Sequence, residues 1–276
     1  MAAVRTAVVG HVEWIDFAVV DHVPIPGEII HADETFAEPA GGGGVAAVQL
    51  FRLSGDAVLF TALGDDELGH RSKDRLEELG VRVEATFKPT PQRRGFTYLD
   101  VAGERTITVM GERLGPLGED PLPWDELAGV QAVYFTAGDH GALEAARQAG
   151  TLVATTRVME DLARAQVALD AVVGSARDPS ERYDPHLLHP SPGMVVLTEG
   201  SRGGSYRVAG GPAGRFDPAA PPGPAVDAYG CGDTFAAGLT FALGEGAPPE
   251  AAVAFAARCG AICLTGRGPY EARLHP

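Results

Sequence analysis

Short apolar runs alternate with amphipathic segments along most of the chain. The apolar runs are typical of buried strands and lie at 6–9, 57–63, 132–136, 152–155, 171–173 and 194–198. Helical patterns separate several of them, including 45–53 and a segment at 68–79 that carries leucines on one face and ends at Gly80. Strands that alternate with helices predict an α/β protein with a parallel sheet.

Two segments interrupt this alternation. The first contains only short alternating pieces broken by prolines and a glycine, and the second holds two β-rich runs around a turn at 102–104. Both are expected to form strands of a lid, inserted at about 16–38 and 94–110 of a single domain that spans 1–276. A stretch rich in glycine and proline at 210–224 is predicted to be a loop or a short hairpin.

Charge and composition narrow the choice of partners. The 276 residues include 22 Lys and Arg against 37 Asp and Glu, a net charge of −15, which argues against nucleic acid or an anionic membrane as the main partner. No apolar run approaches the roughly 20 residues of a spanning helix, and the amino terminus has no sustained apolar signal region, so cytoplasmic residence is expected. The three cysteines are too few to frame a disulfide scaffold and are expected to be reduced.

The segment VDAYGCGDTFAAGLTFALG at 226–244 carries the most chemical information. A glycine-rich turn at 230–232 leads into Asp233 and an apolar helix. The first amides of a helix lack intrahelical partners and attract anions, and Asp233 adds a carboxylate beside them. Phosphoryl transfer needs both an anion hole and a base for the attacking hydroxyl. The alternative is that Asp233 only caps the helix and the glycines only form a tight turn.

This segment resembles the second signature of the ribokinase-like, PfkB-type carbohydrate kinases, D-T-x-G-A-G-D-x-F. Five of its positions match, at Asp227, Gly230, Gly232, Asp233 and Phe235. Ala228 stands where Thr is usual, and Cys231 stands where Ala is usual. The resemblance implies that Asp233 is the catalytic base and that the backbone of Gly230, Cys231 and Gly232 forms the anion hole.

Two further segments extend the resemblance over nearly the whole chain. The glycine run, helix, strand and GDD of the first signature match 41–69, and the resemblance implies that Gly42 and Gly43 let a sugar approach the helix start. The nucleotide segment T-x-G-x-x-G is matched by the set Thr198, Gly200 and Gly203. The family fold is a ribokinase-like three-layer sandwich with a central mostly parallel sheet and a small β-strand lid, and we expect it here.

The positions expected to bind the acceptor and the metal match the family pattern less closely. The early substrate-binding Asp of the family resembles Asp16, whose alternative is a solvated turn residue, and the Asn that many members use for hydroxyl contacts is replaced by Ala46. The magnesium-organising N-x-x-E motif corresponds best to 175–178, with Asp178 in place of the Glu. A helix-capping role for Ser175 is the alternative. Asp227 matches the carboxylate beside the monovalent-cation site of the family.

The resulting hypothesis is an ATP-dependent kinase that phosphorylates an alcohol group of a sugar or sugar-like small molecule, with Mg²⁺, and with K⁺ as a further candidate. Exposed lid edges suggest a homodimer formed through the lid strands. One alternative is a nucleoside kinase, for which Trp14 and Phe96 could supply base stacking. Another is a regulator that binds nucleotide or metabolite without efficient transfer, motivated by Ala46, Ser175 and Asp178.

Overall fold

The computed structural model describes residues 4–101, 103–272 and 274. Its strands are β1 (Thr6–Val9), β2 (Glu13–Val19), β3 (Glu34–Ala40), β4 (Ala57–Gly64), β5 (Arg82–Lys88), β6 (Arg94–Leu99), β7 (Arg105–Met110), β8 (Ala132–Phe135), β9 (Thr151–Thr155), β10 (Ala171–Ser175), β11 (Met194–Thr198), β12 (Gly204–Val208) and β13 (Ala213–Phe216). Its α-helices are α1 (Gly41–Ser54), α2 (Glu67–Glu78), α3 (His140–Ala146), α4 (Met159–Ala165), α5 (Cys231–Gly244) and α6 (Pro249–Cys263).

A nine-stranded sheet forms the middle layer, in the order β13-β12-β11-β10-β9-β8-β1-β4-β5. It is parallel from β11 to β5, and β12 and β13 extend it as antiparallel strands. Helices cover both faces: Val8 packs in a core with residues of α1, α5 and α6, and its neighbours Ala7 and Val9 pack in a core with residues of α3 and α4. Burial from both sides explains the continuous apolar runs.

The parallel strands place their carboxyl ends along one edge of the sheet. Val9 pairs in register with Phe135, and Ser175 pairs with Thr198, so the ends of β1 and β8 and those of β10 and β11 lie side by side. Helix α1 begins at this edge as well, because the amide of Gly43 donates to the carbonyl oxygen of His11 at 3.0 Å, just beyond β1. Ligands of open parallel sheets bind outside this edge.

A second sheet of four strands, in the order β3-β2-β6-β7, forms the lid. Alternation along β2 turns Ile15 and Phe17 toward the body of the protein, where they pack with Val45 of α1 and with Tyr229 just before α5. The lid strands begin at Glu13 rather than near residue 16. The predicted mostly parallel sheet and small β lid are both present.

Three strands, β5, β12 and β13, were not anticipated. β5 has the sequence RVEATFK, is mostly half-buried at the sheet edge, and therefore lacks an apolar run. β13 lies inside the segment predicted as a loop or hairpin and pairs antiparallel with β12. Ala102, part of the predicted lid turn, lies outside the described residues. No helix within the described part of the chain is long and apolar enough to cross a membrane.

Replacing Phe60 by Ala should test the core beneath the sheet. Phe60 of β4 is 0% exposed, and its ring stacks on Trp124 at a centroid distance of 5.3 Å. Removing the ring leaves a cavity, so the free energy of unfolding should fall by about 3 to 5 kcal/mol in urea titrations. Ile29→Ala is the control, because Ile29 is 90% exposed and should change that free energy by only about 0.5 kcal/mol or less. Equal effects of the two substitutions would contradict the packing described here.

Candidate active site

The turn before α5 is open on the side where a ligand would bind. Gly230 has φ 78°, a left-handed conformation that favours glycine, and a Cβ atom there would lie 3.1 Å from Pro269. Gly232 is exposed, and a Cβ atom on it would meet no atom within 4 Å. Since the first amides of α5 start at this turn, an anion can approach them without displacing protein atoms.

Asp233 lies in the first turn of α5 and faces the start of α1. A Cβ atom placed on Gly42 would lie 3.3 Å from Oδ1 of Asp233, 3.5 Å from Cε1 of His11 and 3.6 Å from Cβ of Thr136. The starts of two helices therefore meet across a space that any side chain at position 42 would enter. Gly42 and Asp233, two residues predicted to belong to the site, are thus brought together.

Burial raises the pKa of Asp233 to about 6. Arg157 and Arg105 oppose this rise in pKa, while the negative charges of Glu181 and Glu13 add to it. At pH 7 the carboxylate is still mostly ionised, but it holds a proton more strongly than an ordinary Asp does. A pKa close to the working pH suits a general base.

A buried carboxylate at the start of β2 escaped the sequence analysis. Glu13 is 8% exposed, and its Oε1 lies 2.9 Å from Nε of Arg93 and 3.6 Å from Nε2 of His11. Burial raises the pKa of Glu13, although Arg93 and Arg113 oppose the rise. A Cβ atom on Gly41 would lie 3.1 Å from Cγ of Glu13, so this carboxylate stands beside the same helix start that Asp233 faces.

His11 connects the two carboxylates. Its Nδ1 lies 3.4 Å from Oγ1 of Thr136, and its ring lies against both Gly41 and Gly42. Burial, followed by the charges of Arg113, Arg93 and Arg157, lowers the pKa of His11 well below 6.5. The imidazole is therefore neutral at pH 7 and can accept or donate a hydrogen bond without adding charge.

Asp16 is not brought together with Asp233. In a strand, alternate side chains point to opposite faces, so Asp16 lies on the lid face opposite Ile15 and Phe17, away from the body of the protein. Its Oδ2 is 3.0 Å from Nη2 of Arg94, in an ion pair that is partly exposed. The same alternation places Glu13 on the inner face, and this is the sequence signal that could have identified it.

The predicted nucleotide segment lies at the same sheet edge. Thr198 ends β11 beside Ser175, and the glycines that follow, Gly200 and Gly203, have φ of 64° and 76°. A groove of about 340 Å³ beside this segment is lined by Ser175, Ala176, Arg177, Asp178, Pro179, Glu181, Arg182, Tyr183 and Leu197. The structure thus brings the nucleotide segment close to the segment predicted to organise magnesium.

Asp178 is held by hydrogen bonds and by an ion pair. It accepts from the amide of Ser180 at 2.9 Å, and its Oδ2 lies 3.1 Å from Nη2 of Arg157. Hydrogen bonds lower the pKa of Asp178, and those from Ser180 contribute more than the one from Arg157. Arg157 also pairs with Glu181, whose Oε2 accepts from the amide of Ser175 at 2.8 Å. Arg157 and Glu181 were both missed, since only the fold brings them to this edge.

Ser175 and Asp227 mainly organise backbone. Oγ of Ser175 accepts from the amides of Arg177 and Asp178 at 3.2 and 3.3 Å and so fixes the bend after β10, whereas the residue that caps the following 3₁₀ helix is Asp178. Asp227 is 2% exposed and accepts from the amides of Tyr229 and Gly268, each at 2.7 Å. Burial raises the pKa of Asp227. In the described ranges, no three or more His, Cys, Asp and Glu side chains are grouped so that they could hold a metal ion.

Comparison with known proteins agrees with this geometry. Residues 5–193 and 169–275 match the pfkB family carbohydrate kinases. The chain belongs to the pfkB family. It is a carbohydrate kinase, and its family transfers phosphate from ATP to sugars or nucleosides. This membership confirms the resemblance found in the sequence.

Individual relatives cover nearly the full chain of this pfkB kinase. It is 27% identical to the ATP-dependent ribose-1-phosphate kinase of Halopiger xanaduensis, over 98% of this chain and 95% of the relative. It is also 27% identical to a fructokinase of Klebsiella pneumoniae, over 85% of this chain and 88% of the relative. The structure of Arabidopsis thaliana ribokinase complexed with ribose and ATP superimposes with a TM-score of 0.75 at 19% identity, covering 97% and 94% of the two chains. The predicted ribokinase-like fold is confirmed.

Two adjacent glycines of α1 allow the open site to be tested. A Cβ atom on Gly42 points into the space before Asp233, whereas one on Gly43 would lie 2.6 Å from the carbonyl oxygen of His11. Gly42→Ala should therefore retain the thermal stability of the wild type within about 0.5 kcal/mol and lower turnover by about tenfold or more. In Gly43→Ala the free energy of unfolding should fall by about 1 to 3 kcal/mol, because the added methyl group clashes with the backbone. Full activity of Gly42→Ala in ADP-release assays would show that the space is not used.

Proposed function

We propose that this kinase transfers the γ-phosphoryl group of ATP to a hydroxyl of a sugar or sugar-like small molecule, with Asp233 as general base. The proposal depends above all on the position of Asp233, a carboxylate with a raised pKa at an open helix start. The acceptor oxygen forms a bond to the γ-phosphorus as the bond from phosphorus to the bridging oxygen breaks. The electron pair leaves with ADP, and the hydroxyl proton passes to Asp233.

Backbone amides of Gly230, Cys231 and Gly232 would stabilise the negative charge of the transferring group. Amides that are already fixed at a helix start need no reorganisation during the reaction, which makes their stabilisation effective. Arg105 of the lid adds a positive charge nearby, since its Nη1 donates to the carbonyl oxygen of Ala228 at 3.0 Å. A lid held over this turn would exclude water that could otherwise accept the phosphoryl group.

The acceptor would lie between Asp233 and the lid. Gly42 and Gly43 leave room for its approach to α1, and Glu13 offers carboxylate oxygens to its hydroxyls. The neutral imidazole of His11 stands between the two carboxylates. Contact of Asp16 with the acceptor stays a prediction, and its ion pair with Arg94 does not favour it.

Nucleotide and cations complete the proposal. Thr198, Gly200 and Gly203 would hold the nucleotide, because a glycine turn lets backbone approach phosphate oxygens. Asp178 supplies partly exposed oxygens of the kind that hydrated Mg²⁺ prefers, and would hold it through water. When bound, Mg²⁺ neutralises charge on the phosphate oxygens. A monovalent cation such as K⁺ would lie beside Asp227, whose buried carboxylate retains free lone pairs.

Assembly and compartment are part of the same proposal. Every residue of β7 is exposed at the edge of the lid, and pairing of two copies through the lid strands would cover this edge. All three cysteines are free thiols, two of them buried, which suits the reducing cytoplasm.

A sugar-like acceptor is favoured over a nucleoside by the position of the aromatic rings. Trp14 is buried beneath the guanidinium of Arg71, at 4.6 Å, and Phe96 packs edge-on against Tyr98. Both lie on the lid face opposite Phe17, so neither ring faces the space before Asp233. A regulator without transfer is disfavoured because the base and the open glycine turn are both present.

Asp233→Asn tests the base. The substitution keeps the shape of the side chain and removes its ability to accept the proton, so turnover should fall by about 10² to 10⁴ with ATP affinity unchanged. Because the folded state raises the pKa of Asp233, the ionised carboxylate destabilises that state relative to the unfolded chain, and the variant should be at least as stable as the wild type. Asp125→Asn, at an exposed carboxylate, serves as the control. Near-normal turnover of Asp233→Asn would refute the assignment.

Turnover should also depend on pH in a defined direction. The raised pKa of Asp233, about 6, means that the active carboxylate is present above pH 6 and becomes protonated below it. With ATP and acceptor saturating, kcat should fall by about tenfold for each pH unit below 6. The acid limb should disappear in Asp233→Asn. An acid limb that begins only near pH 4 in the wild type would contradict the environment described for this carboxylate.

A further inference from the structure

Arg113 lies beside the proposed acceptor site without a counter-ion. It belongs to the segment that follows β7, and its Nε is buried without a hydrogen-bond partner. Its guanidinium makes no hydrogen bond and no ion pair with the part of the chain that the structure describes. Burial, followed by repulsion from Arg93 and Arg157, lowers the pKa of Arg113, whereas Glu13 and Asp161 oppose this fall. A Cβ atom on Gly111 would lie 3.7 Å from Cα of Arg93, so the segment that carries Arg113 runs beside Arg93.

The neighbouring arginines have partners. Arg157 pairs with Asp178 and Glu181, and Arg93 lies 2.9 Å from Glu13. Glu13 thus faces three guanidinium groups that influence its pKa, those of Arg93, Arg113 and Arg157, but it pairs directly only with Arg93. Among the described residues no carboxylate forms an ion pair with Arg113, since Glu13 pairs with Arg93 and Asp161 pairs with Arg164. Leaving a partly buried charge unpaired is unfavourable unless a ligand supplies the opposite charge.

The overall charge makes an arginine without an ion pair unusual. Acidic residues outnumber basic ones by 37 to 22, so carboxylates are abundant elsewhere in the chain. The guanidinium group presents a planar fork of donors that matches the oxygens of a phosphate or a carboxylate. Two guanidinium groups beside a neutral His11 form a site that is suited to such an anion.

Contacts between neighbours connect this site to the proposed base. Gly42 lies between Asp233 and His11, His11 lies 3.6 Å from Glu13, and Glu13 lies 2.9 Å from Arg93. These contacts lead from Asp233 to Arg93, and the segment that carries Arg113 runs beside Arg93. A small molecule that fills the acceptor space would meet the base with one end and the arginines with the other.

We infer that the acceptor carries an anionic group, a phosphate monoester or a carboxylate, which Arg113 and Arg93 bind while a hydroxyl at its other end meets Asp233. This inference rests on the proposed function, because it specifies the acceptor of the same site. Arg113 is then a specificity-determining residue. Glu13 holds Arg93 in place and leaves Arg113 to the ligand.

The test compares acceptors that differ only in their charge. ADP release would be measured with ATP and Mg²⁺ for fructose and ribose, for their monophosphates, and for gluconate and glucuronate. An anionic acceptor should have a kcat/KM about 100-fold or more above that of its neutral parent, because the neutral sugar leaves Arg113 unpaired. The monophosphates and the sugar acids separate the two kinds of anion. Equal kcat/KM for neutral and anionic acceptors would overturn the inference.

Variants of Arg113 test whether this residue causes the preference for an anionic acceptor. Arg113→Gln should lower kcat/KM for the anionic acceptor by about 10- to 100-fold and narrow its advantage over the neutral sugar, with the KM for ATP unchanged. Arg113→Lys keeps the positive charge but loses the planar fork of donors. Its kcat/KM for the anionic acceptor should therefore lie between those of the wild type and Arg113→Gln. Arg94→Gln is the matched control, since Arg94 neighbours Arg93 but pairs with Asp16 on the other face of the lid. A rise in the KM for ATP without a change in acceptor preference would assign Arg113 to the nucleotide and overturn the inference.

Binding measured without ATP separates this inference from the proposed function. Calorimetry would titrate the same sugars, and inorganic phosphate, into the wild type and into Arg113→Gln. Anionic sugars that bind through Arg113 without being phosphorylated would support the anion site and refute the kinase proposal for these acceptors. Phosphorylation of neutral sugars, unaffected by Arg113→Gln, would leave the kinase proposal standing and refute the anion site.

Discussion

The close approach of two helix starts is the constraint on which the rest of the structure depends. Helices α1 and α5 both begin at the carboxyl edge of the parallel sheet, and only a glycine at position 42 separates Asp233 from His11. The unpaired amides of a helix start attract negative charge, while burial makes a carboxylate there unfavourable. The pKa of about 6 at Asp233 reflects this burial more than its neighbours, since the positive and negative charges around it partly cancel.

Positive and negative side chains are paired along the carboxyl edge of the sheet. Arg157 compensates Asp178 and Glu181 on one side of the base, and Arg93 compensates Glu13 on the other. Both carboxylate partners of Arg157 are held by backbone amides as well, Glu181 by that of Ser175 and Asp178 by that of Ser180. The edge is thus organised before any ligand arrives, which reduces the reorganisation that binding and catalysis require.

Much of the architecture could be predicted from local patterns. Apolar runs predicted the buried strands, because helices cover both sheet faces. The motif around Asp233 could be recognised because the glycine turn, the carboxylate and the helix follow one another in the chain. β5 was missed because an edge strand needs no continuous apolar run. The family resemblance pointed to Asp16, and Glu13 was overlooked because the lid was expected to begin only at about residue 16, which hid the alternation along β2. Arg113 gave no signal, since its neighbours come from distant parts of the chain.

The lid is joined to the main sheet by a very short connection. β1 ends at Val9 and β2 begins at Glu13, so only residues 10–12 lie between the central strand and the lid. His11, in the middle of this connection, touches the start of α1, and Glu13 at its end holds Arg93. Any swing of the lid must bend these three residues together with the other connections between lid and body, which are the junction of β3 with α1, residues 89–93 and the segment after β7. Part of the hinge and the residues proposed to contact the acceptor therefore lie in one short segment of the chain. A bound acceptor that contacts this segment would itself hinder the reopening of the lid.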